Sequence, residues 1–444
     1  MEAAAAGSRH VVIAYVLDRE RLGNKTFGAP LVQAFFSAIE ALQADIRILG
    51  SDLALLEGDP AQELSRLAGL IRAGAIFFNE DYEPYAIERD ARVGKTLRAQ
   101  GLTVNTSLDH VYFGAHEVVR GTAKPYTVYT PYKRRWLEQF SLARKLPIRS
   151  AAAIKDKLLD RELLGESLPA PLPEEYGYAS SARYPTVSER SAQIALRRFL
   201  AGPIKTYAHD RDFPALAATS GLSPHLRAGT IGIRTCVEAA HKVAGSQVWI
   251  SELIWRDFYQ MILMGFPRVA SGPFIEAARD IPWRDAPEDF RAWCNGRTGY
   301  PIVDAAMHQL NTYGWMHNRL RMVVASFLSK HLLVDWRRGE RYFEQHLADA
   351  DLAANNGGWQ WSASTGNDAV PYFRIFNPIL QSKRFDPNGA FIASMLPQFK
   401  DAPAAAMHEP WKFALALAGY PPPIVDHAAA RARALQAYAV LKKP

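Results

Sequence analysis

From Asp349 to Trp361 the chain reads DADLAANNGGWQW, which puts two carboxylates, two adjacent amides, two glycines and two indoles into thirteen residues. Asp349 and Asp351 can accept hydrogen bonds from hydroxyl or N–H groups. With Asn355 and Asn356 they also form an oxygen set of the kind that hard divalent cations take. The spacing matches no calcium loop, and a metal site would leave Trp359 and Trp361 without a purpose. Indoles in such a place either stack on bases or pack. The stretch reads as a polar loop, and it contains no cysteine or histidine.

Three other segments carry functional groups at regular spacing. Over 245–263 (GSQVWISELIWRDFYQMIL) a helix places Trp249, Glu252, Arg256 and Tyr259 on one face, with Trp255 beside them. That face is either a surface carrying a Glu252–Arg256 pair or a wall facing a ligand. Over 314–336, Asn318 and Met322 are one turn apart, Arg319 and Arg321 flank them, and the apolar run that follows is core. Arg321 needs a carboxylate partner whether it is plainly buried or lies beside a cofactor. Over 207–226, Thr219, Ser220 and Ser223 gather hydroxyls at a helix start, with Ser223 as N-cap and Pro224 first in the helix. This suits a phosphate as well as an ordinary turn. The motifs HExxH, CxxC, GxSxG and GxxxxGK[ST] are absent from the sequence.

The elements that must position these groups fall into two halves. With 444 residues, 48% hydrophobic and 22% charged, the chain is globular, with two or three domains. A net charge of +7 suits a polyanion such as nucleic acid. Cys236 and Cys294 fit no metal or redox spacing, which favours a reducing compartment. There is no run of 18 apolar residues and no apolar signal core, so a cytoplasmic protein without a membrane span is expected. Strands are predicted at 10–17, 44–49, 73–79 and 102–106, and helices at 29–42, 60–72 and 84–100. This alternation predicts a parallel sheet covered on both faces. No glycine-rich dinucleotide fingerprint follows the first strand. The Pro-rich stretch 167–185 reads as an exposed connector. From 188 onward the pattern is helical, and eight of the ten tryptophans fall between Trp249 and Trp361. The expected organisation is an α/β domain over 1–125, a linker over 126–187 and an all-α domain over 188–444.

The stretches WISELIWRDFY, RTGYPIVDAAMHQLNTYGWMHNRLRMVVASFL and DADLAANNGGWQW, with FFNEDYEPYAIERDARV and TPYKRRW in the first half, resemble the photolyase/cryptochrome family. The resemblance runs from about residue 10 to 440. Within the family it is nearest to the class I enzymes that repair cyclobutane pyrimidine dimers. It implies a Rossmann-like N-terminal domain for an antenna pigment and a helical domain that binds FAD and DNA. Tyr207, Thr219, Ser220, Gly221, Leu222 and Ser223 match the family's FAD segment, with the hydroxyls at the phosphates. Trp249, Glu252, Arg256, Arg321, Asp349, Ala350, Asp351, Asn355 and Asn356 match positions around a folded-back FAD. Asp349 should pair with Arg321, and Asn355 should face flavin N5. Trp359, Trp336 and Trp283 match a three-tryptophan electron chain from flavin to surface. Glu252, Trp255, Asn318, Arg319, Met322 and Trp361 match lesion contacts, and Arg211 matches a DNA-contacting arginine.

What the resemblance implies is light-driven repair of the dimer by reduced, anionic FAD. The lesion is flipped out of the duplex, a step for which photolyases are a standard example, and affinity falls with salt. The enzyme is expected to be a monomer on the nucleoid, with methenyltetrahydrofolate or 8-hydroxydeazaflavin as antenna. Enzymes for the pyrimidine–pyrimidone (6-4) lesion usually carry histidines at the Asn318 and Met322 positions. Many cryptochromes carry Asp or Cys at the Asn355 position, and no long signalling tail is expected after VLKKP. The competing readings are a cryptochrome-like blue-light photoreceptor and a light-independent flavoprotein oxidoreductase.

One departure stands out. Family members begin with a strand and loop of the type W-F-R-x-D-L-R-x-x-D-N, which this sequence lacks. MEAAAAGSRHVVIAYVL resembles the end of the first helix running into the second strand. The natural protein is therefore expected to carry roughly 25–30 further N-terminal residues, one strand–loop–helix unit. Without that central strand its two neighbours are left with open edges.

Overall fold

The computed structural model describes residues 2–23, 27–121, 124–142, 151–164, 167–413 and 419–442. Parts of the expected linker, 143–150 and 165–166, lie outside the described residues. Four short strands, β1 (Ile13–Leu17), β2 (Leu53–Glu57), β3 (Ala75–Asn79) and β4 (Thr103–Ser107), alternate with the helices Ala29–Ile48, Pro60–Leu70 and Pro84–Ala99. The pairings are parallel, with Ile13 opposite Leu53 and Ala75 opposite Thr103. The strands form two separate ladders, β1–β2 and β3–β4, and no ladder joins β1 to β3 among the described residues. Strand β2 buries Leu53, Ala54 and Leu55, whereas apolar side chains of β1 and β3 stay partly exposed, Tyr15 by 37%.

One predicted strand is corrected. Residues 44–49 are the end of the 20-residue helix Ala29–Ile48, and the strand lies at Leu53–Glu57. ADIRIL alternates like a strand, but nothing in the sequence breaks the helix before Gly50. That glycine takes a φ of 88° and turns the chain. Asp52 then accepts a hydrogen bond from the Leu53 N–H at 2.8 Å and from Arg47 at 3.1 Å, which fixes the strand start.

The second half is helical. The Ser188 hydroxyl caps the helix Glu189–Ala201 in a reciprocal box with Ser191. One core gathers Trp293, Met307, Val324, Leu328, Trp336 and Trp359. The other gathers Trp136, Phe199, Cys236, Trp249, Ile254 and Phe258, and it also takes in Tyr82, Val111, Tyr112, Tyr129, Tyr132 and Phe140. Asp257 explains this long reach. Its carboxylate, 1% exposed, accepts hydrogen bonds from Tyr112 N–H (3.0 Å), Phe113 N–H (3.3 Å) and the Trp136 indole (2.8 Å). Asp304 does the same for another turn: it accepts from Thr298 N–H and Oγ1, Gly299 N–H and the Tyr420 hydroxyl at 2.6–3.0 Å. Both are acids on otherwise apolar helix faces, a placement that persists only when the carboxylate is saturated with donors.

No helix among the described residues is long and apolar enough to cross a membrane, and no cluster of His, Cys, Asp or Glu among them could hold a metal ion.

Candidate active site

The segment expected as a polar loop is a helix, Leu352–Ala363. Asp351 sits at its N-cap in extended conformation and accepts a hydrogen bond from the Ala354 N–H at 2.9 Å. The helix ends at Ser364, with φ at 60°. Weak helix formers such as Asn and Gly hide it in the sequence, and packing on several sides overrides their propensity.

Asp351 is also where Arg256 goes. The guanidinium donates to it at 3.0 Å and Gln260 Nε2 donates at 3.1 Å. Burial alone would raise the Asp351 pKa, but the Arg256 and Arg227 charges outweigh it and hold the carboxyl below its usual range. The Glu252–Arg256 pair considered from spacing is therefore not formed. Glu252 instead accepts from Arg211 at 2.6 Å, Arg211 lies 3.9 Å from Asp212, and Asp212 pairs with Arg319 at 2.8 Å. Four charges from three chain segments thus form one network beside Trp255.

The two glycines and two amides of the helix divide the work. A side-chain carbon at Gly357 would run into the Tyr259 ring, whereas one at Gly358 would meet nothing within 4 Å. Asn355 and Gly358 are one turn apart and share this open face. Asn355 Nδ2 donates to the Glu340 carbonyl at 3.0 Å, which fixes the amide plane. Asn356 does not share that role. It is buried, its Nδ2 donates to Val269 O (2.9 Å) and Glu340 Oε1 (2.7 Å), and its Oδ1 accepts from Gln360 (2.9 Å). Asn356 supports the helix from behind, a correction to the expectation that both amides face the cofactor.

Arg321 and Asp349 form the expected pair. Nη2 donates to both carboxylate oxygens, at 2.8 and 3.1 Å, and Nε donates to Met316 O at 2.9 Å. Ala350 follows directly, buried, and lines a cavity of about 290 Å³ with Asp351 and Asn355. Arg21, Glu83 and Tyr85 of the first half line the same cavity. In the 207–223 segment, Tyr207 and Leu222 are buried anchors, Thr219 and Ser220 are half-buried, and Gly221 and Ser223 are exposed. Tyr207 and Trp249 both pack on Phe199, at 5.6 and 5.0 Å. Ser223 is not the N-cap. Leu222 occupies that position, and Ser223 is the first residue of the helix Ser223–Ala228. Its hydroxyl is therefore not spent on capping.

This donor set fits FAD. Thr219, Ser220 and Ser223 offer hydroxyls to a diphosphate. Arg321, Asp349 and Asn355 offer fixed polar atoms, and the bare face at Gly358 leaves room for a flat ring.

Asn318 is exposed at the start of the helix Asn318–Ser326, and Met322 lies half-buried one turn along. Trp255 and Trp361 are half-buried. Trp359 and Trp336 are each 2% exposed, and Trp283 is half-buried, 5.9 Å from the Tyr438 ring. The Trp359 ring packs on Phe343 at 5.0 Å and on Trp293 at 6.1 Å, and its indole N–H has no acceptor among the described residues.

Sequence reasoning missed Asp257, Asp304, Gln260, Gly339 and Glu340. A lone acid inside an apolar helical face was the available signal for the first two. Gly339 offered none, because its role is to make room for Trp359: any side chain there would collide with the indole. Gly339→Ala is expected to cost about 1–3 kcal/mol through overpacking, read as a lower denaturant midpoint; an unchanged midpoint would show that the indole shifts freely.

Glu340 carries a pH dependence. Burial pushes its pKa up to about 7, and those of Asp257 and Asp304 up to about 6. A raised carboxyl pKa means that the folded state holds its proton more tightly. The associated stability is whole below about pH 4 and is lost as pH rises through 6–7. Stability should therefore fall from pH 5 to pH 8, with Glu340 accounting for on the order of 3 kcal/mol. Glu340→Gln, which keeps an acceptor for Asn356, should flatten the upper part of that profile in urea titrations. An identical slope in the variant would contradict this assignment.

An α/β half joined to a helical half with a site of this donor chemistry defines a two-domain flavoprotein. The family model described as the FAD binding domain of DNA photolyase matches residues 249–440, and the one described as DNA photolyase matches residues 1–151. The deoxyribodipyrimidine photo-lyase of Synechococcus sp. is 39% identical over 96% of this chain and 90% of its own length. A class III photolyase from Agrobacterium tumefaciens has a similar crystal structure: TM-score 0.89, 34% identity, covering 100% of this chain and 94% of that one. An archaeal photolyase from Sulfolobus tokodaii, solved with two FAD molecules, has a TM-score of 0.82 at 30% identity, covering 98% and 94%. The chain belongs to the DNA photolyase family.

Proposed function

We propose that this chain is a deoxyribodipyrimidine photo-lyase that repairs cyclobutane pyrimidine dimers in DNA under near-UV or blue light. The observation that carries this reading is the Arg211–Glu252 and Asp212–Arg319 network beside Trp255, which assembles the lesion-type contacts from three separate segments. Bound FAD, in its reduced anionic form, supplies the excited-state electron that opens the dimer's two C–C bonds and then takes it back.

The remaining steps belong to the protein. Lys and Arg side chains bind phosphates, and affinity falls with salt. Arg211 holds Glu252 in the protein without DNA; a phosphate that draws Arg211 away leaves Glu252 to accept a thymine N–H. Trp255 and Trp361 pack against the flipped dimer, while Asn318, Arg319 and Met322 shape the opening. Thr219, Ser220 and Ser223 hold the FAD phosphates, and Asp349 with Arg321 orients its ring. Trp359, Trp336 and Trp283 deliver electrons from the surface. The cavity between the halves lies beyond the carboxyl ends of β1 and β3, where open α/β sheets bind ligands. Ala350, Asp351 and Asn355 on its other wall give this cavity to FAD, and an antenna of folate or deazaflavin type belongs to the α/β half. The enzyme acts as a monomer in the cytoplasm, on nucleoid DNA.

Illuminating reduced protein with thymine-dimer DNA tests the proposal; dimers that persist equally in light and dark would reject it. Glu252→Ala should lower the repair yield at least tenfold, the effect of one missing charged hydrogen bond in a dry site, with FAD still bound. Loss of FAD in that variant would instead assign Glu252 to the cofactor.

A further inference from the structure

Trp255 arrives at the site with one face already covered. The Tyr129 ring lies on it, with centroids 3.6 Å apart and planes within 8°. Phe258 and Tyr259 meet the indole at 5.5 and 5.3 Å with their planes inclined. An indole has two faces, so only the face away from Tyr129 can receive a base. We propose that Tyr129 is a positioning residue for lesion recognition: it backs Trp255 so that the flipped pyrimidine dimer, the indole and the phenol form one stack. This rests on the repair reading above.

Tyr129 is well placed for that role. Its hydroxyl donates to the Ser251 carbonyl and lies equally close to the Ser251 hydroxyl, both at 2.7 Å. Its N–H donates to Asp368 at 2.8 Å, and Asn367 donates to the Thr127 carbonyl at 3.0 Å. Asn367 and Asp368 follow the helix that carries Trp361. The turn after Trp361 therefore holds Tyr129, and Tyr129 holds Trp255. The two indoles are set relative to each other through a segment that belongs to neither of their helices. Burial raises the Tyr129 pKa, so the ring stays a neutral phenol and acts by shape and stacking.

The test compares Tyr129→Phe, Tyr129→Leu and Tyr129→Ala holoenzymes with the unchanged protein. The readouts are dark binding to an oligonucleotide with one thymine dimer, binding to its undamaged counterpart, and flavin content. Tyr129→Phe keeps the stack and should bind the dimer normally. Tyr129→Leu and Tyr129→Ala should raise the Kd for the dimer about tenfold, with flavin content and undamaged-DNA binding unchanged. Dimer binding at full strength in the leucine variant, or an equal loss on undamaged DNA, would overturn the proposal. A crystal structure of either variant supplies an arm that does not depend on repair: Trp255 should rotate, and an unmoved indole would overturn the positioning role. An unchanged protein that binds no dimer would reject the repair reading alone.

Discussion

Asp349→Ala is expected to give a folded protein that has lost most of its FAD. Asp349 is the buried member of its pair, with a side chain 3% exposed against 25% for Arg321. Removing it leaves a partly buried guanidinium with Nε still fixed on Met316 O and Nη2 without its carboxylate. Breaking one side of a buried pair costs about 3–5 kcal/mol. Arg321 keeps some water, so the lower end applies, about a hundredfold in FAD affinity. The fold should survive, because the helix Leu352–Ala363 is capped by Asp351 and not by Asp349. The ratio of flavin to protein absorbance after purification reads the effect directly. Full flavin occupancy with normal affinity would remove Asp349 and Arg321 from the cofactor site.

Trp359→Phe is expected to abolish light-driven reduction of the oxidised flavin while sparing repair by enzyme reduced beforehand with dithionite. A phenyl ring fills much of the indole's space between Gly339 and Phe343 but is far harder to oxidise. No hydrogen bond to a described residue is lost, because the Trp359 N–H has no partner among them. The stability cost should thus be a small cavity, roughly 1–2 kcal/mol. Photoreduction at the original rate would show that electrons enter by a route that bypasses Trp359. Parallel loss of repair and photoreduction would mean that the substitution damages the site itself.

Both expectations start from residues that were legible in the sequence, and the difference between what was legible and what was not is physical. Side chains that carry chemistry are recognisable by type and spacing, as with Asp349, Asn355 and the three tryptophans. The backbone that holds them was harder to read. DADLAANNGGWQW looked like a loop because Asn and Gly disfavour helix, yet Asp351 caps it and Gly357 is needed for Tyr259. ADIRIL looked like a strand because alternation over six residues cannot be told from the end of a buried helix. Ser223 has the residue type of an N-cap but is the first helical residue, and cap position depends on a φ/ψ pair that sequence does not show. Asn356, beside Asn355 and identical to it in type, is turned about 100° round the helix and is buried against Val269, Glu340 and Gln360. Only the rotation between successive helical residues separates their roles, and that separation appears once the helix itself is known. Asp257 and Gly339 act on partners distant in sequence, Trp136 and Trp359, so no local pattern reveals them.

Asp257 also bears on how the chain is made. The Trp136 indole and its acceptor are 121 residues apart, and the Tyr112 N–H is 145 residues from the same carboxylate. At translation rates of 5–20 residues per second, the 121-residue gap takes roughly 6–24 s to synthesise. Throughout that interval Tyr112, Trp136 and Phe140 are outside the ribosome without the core that will enclose them. The first half of the chain therefore emerges as an unfinished surface. For a protein of this layout, vulnerability to aggregation during synthesis is set by when Asp257 appears and not by when the α/β half is complete.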